Sequence, residues 1–311
     1  MTTSISLGRI LGIRIGINWS WLVVFALIAW TLASGIFPDT NPGLRHGTYV
    51  LMAIVASTLF FASLLLHELG HAVQARREGM EIEGITLWLF GGVAKFKGMF
   101  PSAGAEFRIA IAGPLVSLSL GLLFALGAWA ISTREAVDGV AAWLGYINLT
   151  LLVFNMLPAL PLDGGRVLRS ALWHVRGSFR WATRIAASVG RAFGILFIAA
   201  GVFLFLFQGA FSGAWLAFIG WFLFQAATSE DGYLLVKDAL GDLRVRDLMV
   251  RDPVTVEPHM SIGRFMDQVA WSRRYTTYPV VENGHAVGLL AFRGVAGVPG
   301  QSGTRGSWVS R

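Results

Sequence analysis

Long apolar runs that carry almost no charge dominate the chain from residue 15 to residue 228. A helix needs about 20 consecutive apolar residues to cross the hydrocarbon core of a bilayer. The runs therefore predict six membrane-spanning helices, the last of them short, over residues 15–38, 49–76, 109–133, 139–162, 185–207 and 214–228. The first run lacks a small-residue cleavage site, so we expect it to remain in the protein.

A different pattern separates the second and third runs. Residues 82–90 and 93–96 are rich in β-branched and aromatic side chains, and Gly91 and Gly92 interrupt them. This pattern predicts a β-hairpin or short sheet. Two positions stay open for it: a cytoplasmic hairpin, or a hairpin that dips into the membrane where protein or water covers its backbone.

The polar residues 229–232 mark the exit from the membrane. We expect a membrane domain over 1–232, a linker over 233–242, a small α/β domain over 243–297 and a disordered Gly/Ser-rich tail over 298–311. In the small domain, Ser261 is a candidate cap for a helix that extends to Trp271. Asn283 and Gly284 separate two strands and predict a type I′ turn. The predicted fold is thus a polytopic α-helical membrane protein with a short β-hairpin and a small α/β domain.

Composition supports a membrane protein and limits its chemistry. The chain is 55% hydrophobic and 14% charged, whereas soluble domains carry about 25% charged residues. It has no cysteine, so a metal would have to bind histidine and carboxylate ligands. The net charge of +7 does not indicate nucleic-acid binding, because the basic residues lie at the ends of apolar runs, where lipid headgroups and topology account for them.

The distribution of Lys and Arg predicts the orientation in the cell membrane. With a cytoplasmic N-terminus, the inner segments hold thirteen of these residues, and the outer loops hold two, Arg45 and Arg134. Because Lys and Arg accumulate in cytoplasmic loops, we expect a multi-pass protein with its N-terminus and its C-terminal domain in the cytoplasm.

The candidate chemistry begins at the inner end of the second run, in the sequence His67-Glu68-Leu69-Gly70-His71. Residues four apart lie on one face of a helix, so the two imidazoles can both bind one tetrahedral zinc ion. Glu68 between them is then placed to accept a proton from a water that the metal activates. Ionisable groups inside a membrane are costly and indicate function.

A second polar stretch ends the fourth run, with Pro158 and Pro161 before Asp163 and with Gly164-Gly165, which we expect to form a tight reversal, after it. The second and fourth runs cross in the same direction, so Asp163 and the two histidines reach a similar depth near the inner leaflet. Asp163 is therefore a candidate third ligand, and the alternative is a turn or helix-cap aspartate. Asn155 either bridges helices or donates to the oxyanion of a tetrahedral intermediate.

These two motifs together resemble the site-2 protease family of intramembrane zinc metalloproteases, over roughly residues 1–228. The resemblance implies that His67, His71 and Asp163 hold one Zn²⁺ per chain and that Glu68 is the general base. It further implies that Asn155 binds substrate or the oxyanion. By the same resemblance, Gly91 and Gly92 lie near the substrate.

The stretch from Val245 to Val256 and the elements after it resemble one cystathionine-β-synthase-type (CBS) repeat. Such repeats fold as pairs, so a lone repeat implies pairing with a second subunit, in a homodimer, or a truncated module. The family often binds adenine nucleotides. Ala291 and Gly294 stand where the family has the Thr and Asp that handle phosphate and ribose, which argues against nucleotide binding here.

The sequence thus predicts an intramembrane zinc endopeptidase that cleaves transmembrane segments of other proteins in regulated intramembrane proteolysis. Its expected partners are transmembrane protein substrates and the lipid bilayer. One alternative is a zinc transporter, but the outer halves of the runs lack the ionisable residues that a transport path needs. The other is a catalytically silent scaffold that senses a ligand, which would not need to keep Glu68.

Overall fold

The computed structural model describes residues 4–88, 91–96, 98–130, 135–241, 244–272 and 275–296 of the 311. The chain forms two compact units, Met1–Lys237 and Asp238–Arg311. The predicted disordered tail, 298–311, lies outside the described residues.

Unit 1 combines long helices with a small sheet. Its strands are β1 (Ser4–Ile10), β2 (Ile13–Asn18), β3 (Ile82–Trp88) and β4 (Gly91–Phe96). Its helices are α1 (Ser20–Thr31), which continues through a π-helical turn (Leu32–Ile36) into α2 (Phe37–Thr40), then α3 (His46–Arg77), α4 (Ala103–Ala130), α5 (Glu135–Asn155), α6 (Asp163–Arg176), α7 (Phe179–Gln208) and α8 (Phe211–Gly241).

Six helical segments among the described residues are long and apolar enough to cross a membrane, which confirms the predicted number and fold class. They are Ser20–Thr40, His46–Arg77, Ala103–Ala130, Glu135–Asn155, Phe179–Gln208 and Phe211–Glu230. The first begins five residues later than predicted. Ile13 and Ile15 belong to β2 instead, where they are buried against Leu69 and Ala72 of α3.

The sheet has the strand order β1-β2-β3-β4. The N-terminal hairpin β1-β2, which the sequence analysis did not predict, turns at Leu11 and Gly12, both with positive φ. Strand β2 pairs in parallel with β3, and β3 pairs antiparallel with β4. The predicted hairpin is therefore present as β3-β4. Gly91 and Gly92, however, are the first residues of β4 rather than a break between its parts.

The fourth membrane helix is shorter than predicted, because α5 ends at Asn155 and Asp163 opens the separate helix α6. Pro158 and Pro161 lie in the loop between them, where neither has to donate a backbone hydrogen bond. Gly164 and Gly165 do not form the predicted reversal, since both are helical.

Their missing side chains serve packing instead. A Cβ on Gly164 would collide with the carbonyl oxygens of Met156 and Leu157, and one on Gly165 with the backbone of Ala159 and Leu160. The pair of glycines therefore lets the first turn of α6 lie directly on the preceding loop.

Helix α8 continues past Thr228 to Gly241. The residues predicted as the linker, 233–242, are therefore helical as far as 241. Glycines bring α7 and α8 together, since a Cβ on Gly194 or Gly201 of α7 would meet backbone atoms of α8. Small residues of this kind let membrane helices approach closely.

Unit 2 contains α9 (Val245–Leu248), α10 (Ile262–Phe265) with a following π-helical turn (Met266–Ala270), β5 (Thr277–Glu282), β6 (His285–Ala291) and α11 (Phe292–Ala296). The Ser261 hydroxyl caps α10 by accepting from the Arg264 N–H. Asn283 and Gly284 have φ values of 50° and 80°, as the predicted type I′ turn between β5 and β6 requires. Buried Phe265 and Tyr278 meet edge to face with ring centroids 4.9 Å apart in the core of this unit.

Candidate metal centre

Three buried side chains from two helices of unit 1 converge at one point. The Nε2 atoms of His67 and His71 on α3 lie 3.2 Å apart. Oδ2 of Asp163, in the first turn of α6, is 3.2 Å from each of them. Within the described part of the chain, this is the one group of His, Cys, Asp or Glu side chains whose donor atoms are close enough to share a metal ion.

The triangle fits zinc. Ligands about 2.1 Å from a tetrahedral Zn²⁺ are roughly 3.4 Å from one another, close to the 3.2 Å edges seen here. Two imidazoles and a carboxylate are also a donor set of the catalytic zinc type, in which three protein ligands leave a fourth position open.

The remaining ring nitrogens are held by α4. Nδ1 of His71 lies 2.6 Å from the carbonyl oxygen of Ile109, and Nδ1 of His67 lies 2.8 Å from Oγ of Ser117. A carbonyl oxygen only accepts, so Nδ1 of His71 is the protonated nitrogen, and Nε2 keeps its lone pair for a metal. Such second partners fix the tautomer and the ring orientation of metal-binding histidines.

The carboxylate of Asp163 has two distinct sides. Oδ2 faces the histidines, and Oδ1 faces Nη1 of Arg166 at 3.8 Å, one turn further along α6. Asp163 thus links the first turn of α6 to the two histidines of α3.

Glu68 follows His67 on α3 and lies beside the hairpin. A Cβ on Gly92 would be 2.9 Å from the carboxyl carbon of Glu68, closer than real Cβ atoms come. The Glu68 side chain therefore lies against the backbone of β4 at Gly92.

The structure brings together five of the seven site residues that the sequence predicts: the three candidate ligands, Glu68 and Gly92. Gly91 begins β4 next to Gly92, and Asn155 is the last residue of α5. The functional roles of all seven residues stay predictions. Sequence reasoning missed the contribution of α4, because a serine hydroxyl and a backbone carbonyl carry no motif.

A buried His–His–Asp triangle with a neighbouring glutamate, inside a set of membrane-spanning helices, is the arrangement of a membrane-embedded zinc metalloprotease. Comparison with known proteins gives the same class. The model of Peptidase family M50 matches residues 55–133 and 130–197, and that of the CBS domain matches residues 245–297.

Three relatives match over most of their length. Rip3 of Mycobacterium tuberculosis is 41% identical over 94% of this chain and 75% of the relative. The relative sll0528 of Synechocystis is 34% identical, over 96% of this chain and 79% of the relative. The zinc metalloprotease MJ0392 of Methanocaldococcus jannaschii is 32% identical, over 98% of this chain and 82% of the relative. The solved site-2 protease of Methanocaldococcus jannaschii is 29% identical, covering 74% of this chain and 95% of that one with a TM-score of 0.49.

The chain belongs to Peptidase family M50, the site-2 proteases, and carries a C-terminal CBS domain. It is a multi-pass membrane protein and a zinc metalloprotease that acts on membrane substrates. The predicted family, enzyme class and metal are thereby confirmed.

Proposed function

We propose that His67, His71 and Asp163 hold the catalytic zinc ion and that Glu68 is the general base in regulated proteolysis of transmembrane segments. The observation that carries this proposal is the triangle of donor atoms with 3.2 Å edges, with Glu68 adjacent to it on the same helix. A bound zinc ion would supply a Lewis acid that polarises the scissile carbonyl and lowers the pKa of a water to about 7.

The residues of the chain transfer the proton, orient the zinc ligands and exclude bulk water. Glu68 accepts the proton from the attacking water and delivers it to the leaving amine. Ser117 and the Ile109 carbonyl keep the imidazoles oriented, so no reorganisation is needed during the reaction. Burial of the site excludes bulk water, which strengthens each electrostatic interaction. Asn155 is our candidate donor to the developing oxyanion.

The substrate must unwind locally, because an intact helix hydrogen-bonds the carbonyl that is to be attacked. We infer that the unwound segment adds to the sheet at β4. This strand is at one edge of the order β1-β2-β3-β4, and an edge strand can pair with an extended peptide. The contact between Gly92 and Glu68 supports this route, since a peptide held at the start of β4 would lie beside the base.

A direct test compares the wild type with Glu68→Gln on a reconstituted single-span substrate, with zinc measured in both. We expect zinc to be retained and cleavage to fall by about 10²–10⁴-fold, the usual contribution of a general base. Glu78→Gln, at the C-terminal end of α3, is the matched control and should keep its activity. Cleavage by Glu68→Gln at the wild-type rate would remove Glu68 from its role, and zinc flux without cleavage by the wild type would favour a transporter.

We further infer that the N-terminus and unit 2 are cytoplasmic and that the lone CBS repeat pairs with that of a second chain. The excess of basic residues in the inner segments supports the orientation.

In unit 2, Trp271, Tyr275 and Phe292 line an apolar cavity of about 640 Å³. Crosslinking of unit 2 in detergent would reveal the paired repeats, and a monomer at all concentrations would contradict them. We expect no adenine nucleotide to bind.

A further inference from the structure

One face of α4 runs along the metal centre. Glu106, Ile109, Gly113 and Ser117 recur every three or four residues and so share a face of the helix. The Ile109 carbonyl and the Ser117 hydroxyl reach the outer nitrogens of the two histidines. Gly113 lies between them in sequence, beside the Nε2 atoms that face Asp163.

The space beside Gly113 belongs to the metal ligands. A Cβ built there would be 2.6 Å from Nε2 of His67 and 2.6 Å from Cε1 of His71, and closer still to Nε2 of His71. Real Cβ atoms essentially never come within 3.0 Å of such neighbours. The three nearest atoms are all imidazole atoms, so the missing side chain makes room for the metal-binding edges of the rings.

Other glycines of α4 behave differently. A Cβ on Gly121 would meet Leu149 of α5, which is ordinary close packing between helices, and a Cβ on Gly127 would meet nothing within 4 Å. Glycine is less favourable than alanine in a helix interior. At Gly113 an alanine would favour the helix but would occupy the volume beside the Nε2 atoms of the two histidines.

We propose that Gly113 is a positioning residue of the zinc site: it keeps open the wall of the site that α4 forms, and Ser117 on the same face fixes the ring of His67. This inference rests on the proposed ligand set. It adds a third element, α4, to a site whose ligands come from α3 and α6.

The test uses the purified full-length protein in detergent and four forms of it: wild type, Gly113→Ala, Ser117→Ala and Gly127→Ala. Zinc affinity is measured by competition with a chromophoric chelator. Thermal unfolding is followed with excess chelator, so that it reports on the apoprotein alone. Replacement of zinc by Co²⁺ adds a readout, because the d–d absorption of cobalt reports the ligand geometry.

We expect Gly113→Ala to lower zinc affinity at least a hundredfold and to change or abolish the cobalt spectrum. Its apoprotein should still unfold cooperatively, at a temperature lowered by the displacement of the buried imidazole rings, so that the zinc affinity is measured on a folded protein. Ser117→Ala should lower affinity about 10- to 100-fold, as loss of an outer partner does. Gly127→Ala should match the wild type in every measurement.

Gly113→Ala with the zinc affinity of Gly127→Ala would overturn the inference and leave the proposed ligands intact. If Gly113→Ala does not fold, Ser117→Ala decides, because it adds no atoms; unchanged affinity and cobalt spectrum in that variant would overturn the role of α4. Two other results would instead contradict the proposed ligand set: a wild type that binds no zinc, or a His71→Ala variant with the zinc affinity of the wild type.

Discussion

Nε of Arg169 lies 2.7 Å from Oε1 of Glu106, and both side chains are buried, with exposed fractions of 5% and 0%. The pair joins α6 to α4 less than two helical turns after Asp163. The guanidinium also lies 5.0 Å from the ring centre of Phe179. The helix that presents the carboxylate ligand is therefore tied by a charge pair to the helix that orients the histidines.

Removal of Arg169 from this buried pair should strongly destabilise the folded protein. We expect Arg169→Met to reduce the free energy of unfolding by about 3–5 kcal/mol, because it leaves the charge of Glu106 buried without its partner. Zinc affinity should fall with it, since α6 carries Asp163. The measurements are denaturant unfolding in detergent and competition for zinc.

The matched control is Arg108→Met, which removes a surface ion pair between Arg108 and Glu78 of equal 2.7 Å length. Exposed pairs contribute little, so this variant should keep its zinc affinity and most of its stability. Equal losses in the two variants would show that the Glu106–Arg169 pair has no special part in holding α6.

A methyl group on Gly92 should impair the reaction without removing the metal. The Gly92→Ala side chain would push the carboxylate of Glu68 out of place, and a displacement of about 1 Å can cost roughly a hundredfold in rate. We expect kcat to fall about that much with zinc content unchanged. Gly47→Ala, where a Cβ meets nothing within 4 Å, is the control. Normal kcat in Gly92→Ala would show that Glu68 tolerates the contact or does not act as the base.

Metal removal should destabilise unit 1. Zinc binds a site that exists only in the folded state, and at a free concentration of 100 times Kd it adds about 2.7 kcal/mol. A chelator should therefore lower the unfolding temperature of the wild type, and added zinc should restore it. His71→Ala should unfold at the same temperature with and without zinc. A wild type that is equally insensitive to zinc would contradict a structural contribution of the ion.

The spans, the β3-β4 hairpin and the pairing of the two histidines were predictable because each depends on a local pattern. Hydropathy follows from burial in lipid, and His67 and His71 share a face through helical spacing alone. Asp163 was found by comparing depth between two runs, although α5 and α6 proved to be separate helices. Local signals of this kind do not depend on how distant elements pack.

The features that the sequence did not predict share a physical cause, which is packing between distant parts of the chain. The apolar residues Ile13 and Ile15 merge with the first run in a hydropathy profile, so the strand β2 was hidden, and with it the parallel pairing to β3. Gly164 and Gly165 have the composition of a turn, yet tertiary packing against the preceding loop favours glycine in a helix there. The role of Gly113 depends on what it faces, which no local pattern encodes.

The orientation can be tested directly because the chain has no cysteine. Arg45, before α3, and Arg251, in unit 2, are both exposed, and positive-inside topology puts them on opposite sides of the membrane. In intact cells, a membrane-impermeant maleimide should label Arg45→Cys and should label Arg251→Cys only after lysis. Leu122→Cys, in the middle of α4, is the control that should stay unlabelled in both conditions. Labelling of Arg251→Cys in intact cells, with Arg45→Cys protected, would reverse the orientation.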